Sequence, residues 1–326
     1  MQKFKLEQVS NQLDNSELEN EIFITCVSFE DRCLAPITYL KKCLGAIIIQ
    51  NKENKNINCV NNTDKLYGYF SGICKNTEVI ESSYINLKLQ NISQKKIVDI
   101  CMSKCDKSKI NITIDSSTFT RNQLIGLLNY LEVKLSPSRV RIIYTSPLKH
   151  GEWLTSGFLK ITNVIGFSGI HNPLLPTLLI VLSGFESDRV SKIICEHEPA
   201  LVLLGVGDPP INEEFHNRNI KEQQQILDNE IVNEFKFPAN DIKACKNELD
   251  KQISKYRNEY NIVIAPMSTK LSTIAAYLSA KENPQIQITY CYPSIYNFDD
   301  YSSGIGEVYL ENLESNCIKY NECCGC

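Results

Sequence analysis

Ile22-Phe-Ile-Thr-Cys-Val-Ser-Phe-Glu-Asp-Arg32 and Thr177-Leu-Leu-Ile-Val-Leu-Ser-Gly-Phe-Glu-Ser-Asp-Arg189 follow one pattern: an apolar run of strand length, then Phe-Glu, then Arg. Superposing Phe29 on Phe185 gives an offset of about 156 residues, and three further landmarks recur in the same order. The next apolar strands are Gly45–Gln50 and Ala200–Val206. Ile110–Asp115 and Asn261–Ala265 each lead into a hydroxyl-rich loop, Ser116-Ser-Thr118 and Ser268-Thr-Lys270, and then a helix. Leu124, Leu127, Leu128 and Leu131 in one helix, and Leu271, Ile274, Ala275 and Leu278 in the other, recur at i, i+3, i+4, i+7, so each helix presents one apolar stripe to a sheet. Last, Val140-Arg-Ile-Ile-Tyr-Thr-Ser-Pro147 parallels Ile286-Gln-Ile-Thr-Tyr-Cys-Tyr-Pro293, with Tyr144 over Tyr290. General β/α punctuation accounts for the order of these landmarks but not for the shared Phe-Glu, Tyr and Pro, which point to internal duplication.

Strands alternating with helices predict parallel sheets covered by helices. The expected fold is therefore α/β, two tandem Rossmann-like domains with mainly parallel sheets. The turn-rich segment Gly166–Pro176 places the boundary so that residues 1–170 form the first repeat and 171–326 the second. Asn51–Asn62, rich in Lys and Asn, reads as an exposed loop. The polar stretch 212–260 reads as a helical insertion broken near Pro238, its second helix carrying Ile242, Cys245, Leu249 and Ile253 at helical spacing.

Composition agrees with two folded domains, since 326 residues at ~150 per domain allow two cores. The net charge of −4 arises from 34 basic and 38 acidic residues well mixed along the chain, which disfavours direct binding to nucleic-acid backbones. No apolar run approaches the ~18 residues of a membrane span, so no membrane association is expected. MQKFKLEQVS lacks an apolar signal region and the 14 Cys are irregularly spaced, which favours a reducing cytoplasm over a disulfide framework.

Ligands of such folds sit beyond the carboxyl ends of the strands, where helix N-termini face the crevice. This selects Ser268, Thr269 and Lys270: the hydroxyls and amides cradle a phosphate and Lys270 neutralises it, or the loop is an ordinary N-cap. Asp208 in Gly205-Val-Gly-Asp-Pro-Pro210, about 22 residues after Glu186, is placed either to accept ribose hydroxyls or to start a turn. The first turn lacks Gly-x-Gly-x-x-Gly, so a dinucleotide oxidoreductase is disfavoured. Glu186, matched by Glu30, is a candidate catalytic acid, although Ser183-Gly-Phe-Glu186 also has the form of a capping box. Arg189, matched by Arg32, binds a phosphate or forms a salt bridge. Tyr292, with Trp153, Tyr296 and Tyr301, is a candidate for stacking on a base. The four His show no metal-site spacing. Cys323-Cys-Gly-Cys326 with nearby Cys317 lacks the second pair that a zinc site needs, so no metal is expected.

Two resemblances bear on activity. Asp115-Ser-Ser-Thr-Phe-Thr-Arg121 resembles the phosphoribosyl-binding loop of phosphoribosyltransferases over about seven residues, without that family's paired acids and Gly-Gly. The strand followed by Ile264-Ala-Pro-Met-Ser-Thr-Lys270 is similar to the Thr-Lys loop of CRISPR-associated Rossmann-fold (CARF) sensors, which bind cyclic oligonucleotides between two facing domains. The first repeat has Thr118-Phe-Thr-Arg121 instead. The CARF resemblance implies a regulatory protein that binds a nucleotide-type small molecule, with a protein partner in an antiviral defence complex. One alternative is an enzyme on a nucleotide or phosphoribosyl compound, N-glycosidase or phosphoribosyltransferase-like, with Glu186 or Asp115 as acid/base. The other is a structural adaptor without ligand.

Overall fold

The structure is a computed structural model describing residues 1–13, 15–105 and 110–313. The chain runs β1 (Gln2–Phe4), α1 (Leu6–Gln12), α2 (Asn15–Leu18), β2 (Glu21–Cys26), a 3-10 turn at Asp31–Leu34, α3 (Pro36–Tyr39), β3 (Cys43–Asn51), α4 (Ile57–Ile73) and β4 (Cys74–Ser82). It continues through α5 (Leu87–Lys104), β5 (Asn111–Asp115), α6 (Arg121–Leu135), β6 (Arg139–His150), β7 (Thr155–Ser156) and β8 (Lys160–Ser168). Then follow β9 (Thr177–Leu182), α7 (Ser187–His197), β10 (Leu201–Gly207), α8 (Glu213–Leu227), β11 (Val232–Phe237) and α9 (Ile242–Tyr256). The last elements are β12 (Asn261–Pro266), α10 (Lys270–Glu282), β13 (Gln287–Tyr292), β14 (Ile295–Tyr296) and β15 (Ser302–Leu313).

One sheet has the order β1-β15-β6-β5-β2-β3-β4 and the other β11-β10-β9-β12-β13-β8. The parallel cores, β6-β5-β2-β3-β4 and β13-β12-β9-β10-β11, share one order, so the fold is α/β with two Rossmann-like sheets, as the sequence predicts. Central β2 and β9 are buried on both faces, which is why they read as unbroken apolar runs. In each sheet the strand order reverses beside its first core strand, between β2 and β5 and between β9 and β12. This reversal opens a crevice at the strand ends.

The sheets do not divide at residue 170. β8, from the first half, pairs antiparallel with β13 at the edge of the second sheet, and β15, from the second half, pairs antiparallel with β6 in the first. Each half thus completes the other's sheet. The stretch 212–260 is likewise not a helical insertion: α8, β11 and α9 match α4, β4 and α5 in order. Both β4 and β11 are sheet-edge strands with solvated residues along them, so neither carries an apolar signal. The expected loop at Asn51–Asn62 ends early, because Asn56 caps α4 by accepting from the Asn58 amide and the helix begins at Ile57.

The stripes of α6 and α10 are buried as predicted, with Leu278 only partly so, and they join one core extending through both halves. The two helices also meet each other. The Tyr277 hydroxyl donates to Glu132 at 2.6 Å and Lys281 pairs with the same carboxylate. α9 buries Ile242, Cys245, Leu249 and Ile253. Cys43 and Cys74, at the starts of β3 and β4, form a disulfide, so the expectation of thiols throughout fails at this pair. Among the described residues no helix is long and apolar enough to cross a membrane.

Candidate functional site

At the end of each first core strand lies a buried ion pair, and the two pairs have matching surroundings. Arg32 meets Glu30 at 2.8 Å, donates to the Thr145 carbonyl at 3.1 Å and lies 6.0 Å from the Tyr144 ring. Arg189 meets Glu186 at 2.7 Å, donates to the Cys291 carbonyl and lies 5.9 Å from the Tyr290 ring. Burial disfavours both guanidinium charges, yet the adjacent carboxylates outweigh it and hold both groups above their ordinary values. Each glutamate also accepts a hydroxyl from the opposite half: Glu30 from Ser302 at 2.5 Å, Glu186 from Thr155. The arms that carry β7 and β15 are thereby anchored to the opposite strand ends.

Between the pairs lie the N-termini of α6 and α10. Thr120 caps α6 and Thr269 caps α10, so Arg121 and Lys270 are the first residues of the two helices. Arg121 crosses to the second half and donates to the Ser268 carbonyl at 2.6 and 3.0 Å and to the Met267 carbonyl at 2.7 Å. Lys270 has no hydrogen bond or ion pair among the described residues. Lys270 lines both a larger and a smaller cavity. Burial, reinforced by the positive charges of Arg121 and Arg32, pushes it well below the usual lysine range. An unpaired cation at a helix N-terminus, exposed to the cavities while the surrounding protein disfavours its charge, is suited to an anion.

The larger cavity, about 100 Å³, lies over the second-half crevice and is closed by residues of the first half. Phe185, Phe215, Tyr144, His150 and Tyr301 contribute aromatic surface; Ser268, Thr269, Lys270, Arg121 and Arg32 contribute polar and cationic groups. His150 packs 5.3 Å from Phe185 and 4.6 Å from Phe215. Burial, aided by Arg32, pushes its imidazole down to about 3, so it is neutral at pH 7. Arg218 lies 4.5 Å from the Phe185 ring and donates to the Gly151 carbonyl at 2.6 Å. Gly184 passes so close to the β12–α10 loop that a Cβ would collide with the Met267 carbonyl. The smaller cavity, about 40 Å³, lies over the first-half crevice beside Phe29, Tyr84, Arg189 and Tyr296.

Of the residues singled out from sequence, Ser268, Thr269, Lys270 and Glu186 line the larger cavity and Arg189 the smaller. The Thr269 hydroxyl accepts from the Ser272 amide and donates to the Ala239 carbonyl, so it is engaged as a cap. The capping box at Ser183–Glu186 does not form. Ser183 donates to Gly205 instead, and Glu186 is the N-cap residue without a side-chain cap bond. Asp208 is not brought to either cavity; it lies at the surface, paired with Lys236 at 2.8 Å. Tyr292 is also elsewhere, buried with its hydroxyl accepting from Asn122 at 2.9 Å and Lys160 over its ring at 4.8 Å. Asp115 is fully buried outside the cavities and accepts from the Ser117 amide at 3.1 Å. Burial raises its carboxyl to about 6. Sequence reasoning missed His150, Phe215 and Arg121. Arg121 had a signal, since it follows Thr120 as Lys270 follows Thr269. Cys317 and Cys323–Cys326 lie outside the described residues, and among those described no cluster of His, Cys, Asp or Glu is arranged to hold a metal.

No protein-family model and no curated protein matches the chain. Among solved structures it is similar to a type III CRISPR defence DNA nuclease activated by cyclic oligoadenylate. The TM-score is 0.50 at 6% identity, over 87% of this chain and 68% of that one. At this identity the likeness is one of fold.

Proposed function

We propose that the chain is a regulatory protein that binds a nucleotide or nucleotide-derived signal in the cavity beside Lys270. The observation that carries this reading is Lys270 itself, an unpaired ammonium at a helix N-terminus facing an aromatic-walled cavity built from both halves. The cation and the helix amides suit a phosphate, and Phe185 and Phe215 suit a base. The fold likeness to a nuclease activated by cyclic oligoadenylate, together with the sensor-like Ile264–Lys270 segment, supports an antiviral defence setting in which a protein partner receives the signal. The shared strand order and the matched Glu–Arg–Tyr sets support descent of residues 1–170 and 171–326 from one duplicated unit, with β8 and β15 exchanged. The enzyme alternative has less support: Glu186, the one carboxylate among the described residues lining the larger cavity, is bound to Arg189 and Thr155.

The test is mass spectrometry of small molecules that copurify with the protein, followed by calorimetry with mononucleotides and cyclic oligoadenylates. A nucleotide should bind, and Lys270→Ala should weaken it by about 10- to 100-fold through loss of a charge-assisted contact. Turnover of the bound nucleotide would favour the enzyme, and no binding of any nucleotide would leave the adaptor.

A further inference from the structure

The two crevices are related by topology but are not equal. On the first-half side, Phe29 packs edge-on to Phe298 at 5.0 Å and Tyr301 at 5.8 Å, while Tyr84 meets Tyr296 at 5.6 Å. These rings fill the crevice and leave about 40 Å³. On the second-half side, Phe185, the counterpart of Phe29, is drawn aside between His150, Phe215 and Arg218, leaving about 100 Å³. Gly184 stands where the first half has Ser28, which lets the β9–α7 turn lie against the β12–α10 loop of the same half. The cations at the two helix starts also differ, because Arg121 donates to two carbonyls of the second half while its counterpart Lys270, which borders both cavities, is unpaired among the described residues. The buried arginines Arg32 and Arg189 are both held by glutamates.

A twofold-symmetric ring presents equal bases and phosphates to both sides of a dyad and gains from both only if both are open. Here only the second-half side has an open aromatic room, and Lys270, unpaired among the described residues and bordering both cavities, belongs to that half's helix. Resting on the nucleotide reading above, we infer that the ligand is a mononucleotide, with one base among Phe185, Phe215 and His150 and one phosphate on Lys270, rather than a symmetric cyclic oligonucleotide. The first-half crevice is a packed support that holds the arm carrying Tyr296 and Tyr301.

Calorimetric titration of the full chain with AMP and with a cyclic oligoadenylate tests this. AMP should bind one per chain and at least about tenfold more tightly than the ring, a difference of ~1.4 kcal/mol. Phe215→Ala should weaken AMP at least about fivefold, whereas Asn54→Trp, which fills the smaller cavity, should change affinity less than about twofold. Tighter binding of the ring, or loss of AMP binding in Asn54→Trp with circular dichroism unchanged, overturns the mononucleotide assignment and leaves the nucleotide reading standing. Binding of neither compound overturns both. Should Phe215→Ala fail to fold, the AMP-to-ring ratio and Asn54→Trp still decide.

Discussion

Arg121 and Lys270 occupy the same position on two helices, each the first residue after a threonine cap, and the first holds the loop from which the second projects. Arg121→Ala leaves the Met267 and Ser268 carbonyls without their charged donor. Such bonds contribute about 1.5–3 kcal/mol, so denaturant unfolding should show a loss of that order. Nucleotide affinity should fall as well because the β12–α10 loop is no longer held. Unchanged stability and affinity would remove Arg121 from this role.

Lys270 should make stability, and on the proposed function binding too, depend on pH. Its folded value lies well below the unfolded value of ~10.4, so between the two the unfolded chain holds more protons and stability rises with pH. Lys270→Met should flatten that rise in chemical denaturation followed across the alkaline range. A bound phosphate favours the ammonium, so binding above the depressed value should take up a proton. Calorimetry in buffers of different ionisation enthalpy measures this uptake, and buffer-independent heats would contradict it.

The Glu186–Arg189 pair is buried, so removing one partner is expected to do more harm than removing both. Glu186→Gln strands a buried guanidinium and should cost about 3–5 kcal/mol in unfolding free energy. The double variant Glu186→Gln/Arg189→Met should regain a large part of that. Equal losses in single and double variants would show that the Cys291 carbonyl contact, not the ion pair, sustains the site.

The exchanged strands predict that neither half folds alone. Residues 1–170 lack β15, leaving β6 unpaired on one side, and residues 171–326 lack β8, leaving β13 exposed. Expressed separately, each half should show poor amide dispersion by NMR, while coexpression should restore a folded complex. A well-dispersed isolated half would contradict this.

Much of the fold is legible in the sequence because its central strands are buried on both faces: Ile22–Cys26 and Thr177–Leu182 can hardly be read otherwise. The third strand of each sheet is not, since an edge strand such as Val232–Phe237 carries Asn, Glu and Lys to solvent. The exchange of β8 and β15 is equally hidden, because side-chain alternation does not say which sheet receives a strand. At the site, Ser268–Lys270 could be found because a strand end and a helix start fix its place. Asp208 and Tyr292 satisfy the same rule of position and still lie outside the cavities, since the rule names loops and not the directions of their side chains. His150 contributes through a cluster with Phe185 and Phe215 that meets only in three dimensions.

Carrying both crevices on one polypeptide has an evolutionary corollary. In a homodimer every substitution at the dyad appears twice, so neither side can change without the other. Here a Gly at 184 need not be a Gly at 28, and a lysine at the start of α10 need not be a lysine at the start of α6. The covalent link also keeps both crevices assembled at any dilution, so each is free to diverge from its twin without loss of the shared framework.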